Sequence, residues 1–305
     1  LLAVTADAGR TWQPVTSPLT SGSVGYGGTP HAVGGGVYLT TFDDSSARFT
    51  HDGGRTWTTI VFDSQRFAGS VAATVVGSDL VVIDQTVSTT TSSVGQTCVD
   101  SEITTTIRAG RIVSVTRIAS GPETQLALAP DGSRWQTATT ATCTTHGTQS
   151  PAPGAVGVSS VRVAAPASGY GPAYALPAAT NALVPVDRRN AWFVGWDSKI
   201  WVTHDSGRTW QDAGFAAHSQ LLVPTDATHA VVETELIGMS ESLTPWRSIG
   251  QRAMPPTLTV PVGRGNGIDV LTADHGVLSL IDEGGRYLTS RDSGRTWHLQ
   301  GQLPS

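Results

Sequence analysis

The sequence predicts an all-β chain assembled from repeated strand–turn–strand units. Three observations carry that reading. The first is a near-identical octapeptide repeated along the chain. Thr5-Ala6-Asp7-Ala8-Gly9-Arg10-Thr11-Trp12, Thr50-His51-Asp52-Gly53-Gly54-Arg55-Thr56-Trp57, Thr203-His204-Asp205-Ser206-Gly207-Arg208-Thr209-Trp210 and Ser290-Arg291-Asp292-Ser293-Gly294-Arg295-Thr296-Trp297 share Asp-x-Gly-Arg-Thr-Trp. The second is composition: 34 Gly among 305 residues, with only 14% charged. The third is the near-absence of helical periodicity in stretches rich in Val, Thr and Trp.

Each octapeptide sits between short alternating or apolar runs. Lys199 to Thr203 leads into one copy and Arg286 to Ser290 into another, which is a strand, tight turn, strand pattern. The Asp side chain accepts hydrogen bonds from amides of its own turn. The Gly two positions later supplies a positive φ. The Trp is expected to bury its ring against the neighbouring unit. Weaker copies are read at Thr106 to Val113 and at Met239 to Trp246, and an unread copy is expected around residues 144–161.

These octapeptides resemble the Asp-box, or bacterial neuraminidase, repeat of sialidase, sortilin, xyloglucanase and photosystem II assembly-factor propellers. The resemblance implies a β-propeller of four-stranded antiparallel blades in a single domain over residues 1–305, with each box joining the third and fourth strands. Asp7, Gly9, Trp12, Asp52, Gly54, Trp57, Asp205, Gly207, Trp210, Asp292, Gly294 and Trp297 are then structural. Box positions ending at 12, 57, 113, 210, 246 and 297, with one unread, are spaced by about 47 residues on average, near WD40-type blades. That predicts seven blades, with six or eight as alternatives. The first box lies so close to Leu1 that the two leading strands of its blade are expected either to precede this sequence, as in a processed or truncated product, or to come from the C-terminal region as a ring closure.

In such a fold the ligand face lies opposite the boxes, on the connections between second and third strands. Asp43, Asp44, Arg66, Trp196, Asp197, Glu235, Arg252, Asp282 and Glu283 are the candidate ligand-binding residues there; a solvated turn acid is the plain alternative for each. Two segments depart from regular blades. Thr86 to Ile107, with 12 Ser/Thr, reads as a long loop, and so does Thr144 to Ala178. Cys98 and Cys143 are expected to form a disulfide in an exported protein.

Nineteen Lys+Arg against 24 Asp+Glu give a net charge of −5, with no basic stripe for nucleic acid. No apolar run approaches the ~20 residues that span a bilayer. No metal or cofactor motif is present: His51 and His204 read as solvent-facing box positions. A sialidase needs an arginine triad and a Tyr/Glu nucleophile pair. No Arg-x-Pro tripeptide exists, and none of the five tyrosines has a readable partner Glu. The chain therefore reads as an exported, non-catalytic propeller that binds a protein or glycan, as an accessory subunit of a cell-envelope assembly. The alternative is a glycoside hydrolase using rim carboxylates. A single lysine, Lys199, against 18 arginines suggests a bacterial source.

Overall fold

A computed structural model describes residues 2–4, 11, 13–15, 29–33, 36–41, 46–61, 72–91, 97–119, 124–138, 160–166, 168–195, 197–215, 219–236, 240–247, 268–274, 277–282 and 284–303. All the described regular structure is strand. Strands β1 (Leu2–Val4) and β2 (Gln13–Val15) form a two-stranded sheet. A four-stranded sheet follows from β3 (Thr29–Val33), β4 (Gly36–Thr41), β5 (Ser46–Thr50) and β6 (Thr58–Val61). The next comprises β7 (Ala72–Val76), β8 (Asp79–Thr91), β9 (Thr97–Arg108) and β10 (Arg111–Ala119). Then come β11 (Thr124–Leu128), β12 (Arg134–Ala138), β13 (Ser160–Ala164) and β14 (Tyr174–Ala175). Strands β15 (Thr180–Pro185), β16 (Ala191–Gly195), β17 (Lys199–Thr203) and β18 (Gln211–Phe215) make another. A three-stranded sheet holds β19 (Ser219–Pro224), β20 (His229–Leu236) and β21 (Ser240–Arg247). The last has β22 (Ile268–Asp274), β23 (Val277–Asp282), β24 (Arg286–Ser290) and β25 (His298–Gln302).

The sheets from β3 onward are antiparallel meanders with strands in chain order. Seven four-stranded blades are not what the described residues contain: five sheets have four strands, one has three and one has two. Residues 5–10 and 12, between β1 and β2, and residues 248–267, after β21, lie outside the described residues.

The chain divides into two compact units, Val15–Ala179 and the pair Leu1–Pro14 with Thr180–Ser305. Within the first, the leading strands β3, β7 and β11 neighbour one another in sequence. Tyr38, Ala47 and Ile60 of one sheet meet Leu80, Val82 and Ile107 of the next. Within the second, β15, β19 and β22 are likewise neighbours. Trp192, Val194, Ile200 and Val202 there pack on Leu222, Ala230 and Val232. Second strands are covered on both faces, as β12 and β16 show at all five positions. That is why Ala191-Trp192-Phe193-Val194-Gly195 reads as an unbroken apolar run.

Three expectations change. Thr86 to Ile107 is not a loop: most of it lies in β8 and β9, thirteen and twelve residues long. Threonine is a strand former, so the Ser/Thr content marks an extended hairpin. Met239 to Trp246 is not a box, because residues 240–247 run straight along β20, pairing from Leu236↔Ser240 to His229↔Arg247. It lacks the glycine that would let the chain turn. The unread third-to-fourth connection is residues 165–173, after β13, and not residues 144–161.

Turn glycines wedge one sheet against the next. Gly110 (φ 77°) donates its amide to the Tyr38 hydroxyl at 2.9 Å, and a Cβ there would stand 2.9 Å from Phe49. At Gly294 (φ 86°) a Cβ would stand 3.1 Å from Val231 and 3.4 Å from Leu278. Gly53 (φ 72°) has open space around it. Gly53→Ala should therefore cost only the left-handed backbone, about 1–2 kcal/mol. Gly294→Ala should cost that plus overpacking, about 2–4 kcal/mol in all. Urea titration of both variants checks this, and equal losses would refute the wedge.

Candidate functional site

The repeated turns carry the most regular polar geometry. The Thr50 hydroxyl donates to Asp52 Oδ1 at 2.8 Å and accepts the Gly54 amide at 2.9 Å. Asp52 Oδ1 accepts the Arg55 and Thr56 amides at 3.0 and 2.9 Å, and Oδ2 accepts the Thr56 hydroxyl at 2.6 Å. The same bonds recur around Asp205 and Asp292. Two successive left-handed residues bend each turn: Gly53 and Gly54, Ser206 and Gly207, Ser293 and Gly294. The tryptophans are tied to their own turns and sheets. Trp57 and Trp297 donate their indole N–H to the carbonyls of Gly54 and Gly294, both at 3.1 Å. Trp210 meets Phe193 of its own sheet edge-on at 4.8 Å. An indole has only that one donor, so bonding it to the turn fixes the ring's direction.

These carboxylates are held strongly ionised. The Thr56 hydroxyl and amide lower Asp52 well below the usual carboxylate range. At Asp292 partial burial opposes ionisation, but the Thr296 hydroxyl and amide outweigh it and hold the group at about 2. Asp205 is lowered in the same way, against its own burial, by Thr209. Such groups suit anchoring, not proton transfer near neutrality.

A second polar group is buried between two sheets of the Val15–Ala179 unit. Arg134 and Glu102 are 3% and 1% exposed, and Arg134 Nη1 meets Glu102 Oε1 at 2.9 Å. The same Nη1 donates to the Thr104 hydroxyl at 3.2 Å, and Nη2 donates to the Ser168 carbonyl. The Tyr170 hydroxyl donates to Glu102 Oε2 at 2.6 Å. Arg134 and Arg162 lie over the Tyr170 ring, 5.2 and 5.9 Å from its centroid. A tyrosine with a partner glutamate therefore exists, at a separation that the sequence reading could not see. Its electrostatics oppose nucleophilic use. Burial first, then the Glu102 charge, pushes the Tyr170 phenol far above its ordinary value, so it keeps its proton. Burial also raises Glu102, against the pull of Tyr170 and Arg134. The group ties β9, β12 and the β13–β14 connection together.

The predicted ligand residues fare differently. Asp197 is exposed in the β16–β17 connection, where its Oδ1 accepts the Lys199 amide at 3.2 Å. Asp282 is fully buried. It accepts the Arg286 amide at 2.8 Å and its guanidinium at 2.6 Å, closing the β23–β24 turn. Glu235 stands on β20 in register with Glu241 on β21. Asp43, Asp44, Arg66, Trp196, Arg252 and Glu283 lie outside the described residues, as do Asp7, Gly9, Trp12 and Cys143. Cys98 sits in β9. His51 is exposed, but His204 is half-buried, with Nδ1 2.9 Å from Asn190 Oδ1 and Nε2 buried without a hydrogen bond. The Glu102–Arg134–Tyr170 group went unread because its members are 32 and 68 positions apart and share no motif.

Against known proteins, the chain aligns with the structure of U3-55K at 11% identity over 92% of this chain and 83% of that one, TM-score 0.56. The RRP9 WD40 repeats align at 11% identity over 92% and 82%, TM-score 0.55. YCF48 from Cyanidioschyzon merolae aligns at 14% identity over 87% and 81%, TM-score 0.50. At these identities the likeness establishes the fold: a β-propeller of antiparallel four-stranded blades. No protein-family model matches the sequence, and a search of curated proteins returns no match. Among the described residues no helix is long and apolar enough to cross a membrane.

Two outcomes follow. Asp292 is lowered on folding, so its contribution is present above the ordinary 3.8 and lost as pH falls through about 2. Denaturation midpoints should fall across that window, and Asp292→Asn should lower stability at pH 7 while flattening the fall. An Asp292→Asn profile parallel to wild type would refute this. Arg134→Ala strands a buried carboxylate and should cost about 3–5 kcal/mol. Combining Arg134→Met, Glu102→Leu and Tyr170→Phe should recover most of it in urea titrations. A triple variant no better than the single one would refute an electrostatic tie.

Proposed function

We propose that this chain is an exported, non-catalytic binding propeller that takes a protein or glycan partner on the face opposite its repeated turns. The carrying observation is the β8–β9 hairpin. Its strands pair from Asp79↔Arg108 to Thr91↔Thr97, whereas β7 accompanies β8 only to Ile83. The hairpin thus runs on past its own sheet as an arm, at a connection between second and third strands. Projecting segments carried on a rigid scaffold are where propellers and other β folds place recognition. The likeness to U3-55K and YCF48 supports a scaffold reading. In this reading the octapeptides are Asp boxes, the sheets are seven blades of one domain with two of them incomplete, and Cys98 bonds Cys143 to hold the arm near its tip. Export and a place in a cell-envelope assembly belong to the same proposal.

One observation favours the second reading, a glycoside hydrolase. Glu235 and Glu241 occupy opposite positions on β20 and β21 beside a second-to-third connection. Retaining and inverting glycosidases both work with a pair of carboxyl groups.

Panning displayed peptide libraries and a glycan array against the chain tests the choice. The intact chain should enrich ligands, and one with Ser88 through Thr97 replaced by an Asn-Gly turn should lose at least about tenfold in affinity. Sugar release from aryl glycosides, abolished by Glu235→Gln, would install the second reading instead.

A further inference from the structure

Strand β10 closes its sheet on one side and is hydrogen-bonded to β9 alone among the described strands. It is nine residues long, against four, two, five and five for the fourth strands β6, β14, β18 and β25. Every residue from Arg111 to Arg117 is exposed. Ile112, Val113 and Val115 are exposed by 39, 51 and 53%. Protein sheets ordinarily blunt such edges by shortness, charge, proline or a bulge. Here there are two arginines and one irregularity, between Ile112 and Ser114.

The register sorts the side chains. Ile112, Val115 and Arg117 stand opposite Ile107, Thr105 and Ile103, the buried set of β9. Arg111, Ser114 and Thr116 stand opposite Arg108, Thr106 and Thr104 and share the other face. Arg108 is already bound to Asp79 at 2.6 Å, whereas Arg111 and Arg117 have no ion-pair partner among the described residues. Charge selects the occupant. A second copy of β10 would bring two further arginines to the seam and no carboxylate, since residues 111–119 contain no Asp or Glu, and like charges gathered across a strand pair destabilise it. A strand with acidic ends meets both arginines favourably.

We propose that β10 is a docking edge for an extended acidic segment of a partner protein, which adds to the sheet as a fifth strand. Its backbone takes up the free ladder groups. Its apolar side chains cover Ile112 and Val115, and a carboxylate reaches each arginine. The assignment rests on the reading of the chain as a binding propeller but lies at a surface distinct from the β8–β9 arm.

Fluorescence anisotropy tests it with a short labelled peptide of alternating valine and threonine, glutamate at each end, and a counterpart ending in lysines. The intact chain should bind the acidic peptide at least about tenfold more tightly. Arg111→Glu with Arg117→Glu should reverse that preference without moving the thermal midpoint. Methylating alternate peptide amides on the pairing edge should abolish binding. Equal affinity for both peptides, a preference unmoved by the double charge reversal, or undiminished binding after methylation would overturn the assignment. So would a dimer in sedimentation that Val115→Lys makes monomeric, since the occupant would then be a second copy. Failure here with arm-dependent ligands still enriched sinks only the docking edge. Glycoside hydrolysis dependent on Glu235 sinks the broader reading without touching the peptide result.

Discussion

The structure depends on a carboxylate that finds all its partners within five residues. A sharp reversal leaves several backbone amides pointing inward with no strand to receive them, and a buried unpaired amide costs on the order of 1–3 kcal/mol. Asp52, Asp205 and Asp292 each gather the following amides and a threonine hydroxyl, while the Thr or Ser two positions earlier takes the glycine amide. The reversal thereby becomes a rigid plug. Its glycine then lets a neighbouring sheet approach, as Val231 approaches Gly294. One local solution, repeated, serves both turn and packing.

This locality explains what the sequence made legible. Interactions between positions i and i+4 leave a fixed spacing in the chain, so the turns at Thr50, Thr203 and Ser290 could be read as letters. The blade from Ala182 to Gln211 followed, because its apolar runs are bounded by such a turn. Where the turn is made differently, reading failed. Residues 165–173 close with the Ser168 amide on the Ala165 carbonyl and the Gly171 amide on the Val163 carbonyl, bonds that leave no side-chain signature. Trp246 mimicked a box because a tryptophan followed an acid at the right distance, yet the chain there simply continues as strand.

Long-range polar chemistry was invisible for a different reason. Glu102, Arg134 and Tyr170 lie on three separate segments, and nothing in their local sequence distinguishes a buried arginine from a solvated one. Asp282 was legible as a turn acid but not as a buried one. Its neighbour Arg286, four residues on, converts a candidate ligand into a turn closure. Among the predicted ligand residues that the structure describes, only Asp197 is a side chain shown exposed to solvent.

The strictly consecutive strand order has a bearing on synthesis. Each meander can zip as its own residues leave the ribosome, with no need to wait for distant chain, and such short-range pairing favours rapid formation. The cost falls on the second strands. Trp135 and Trp192 are wholly sequestered from water in the finished fold. A nascent chain halted after either strand would therefore hold a large indole bare on at least one side. Pauses in translation would be safest in the polar stretches between sheets and most hazardous just after Ala138 or Gly195.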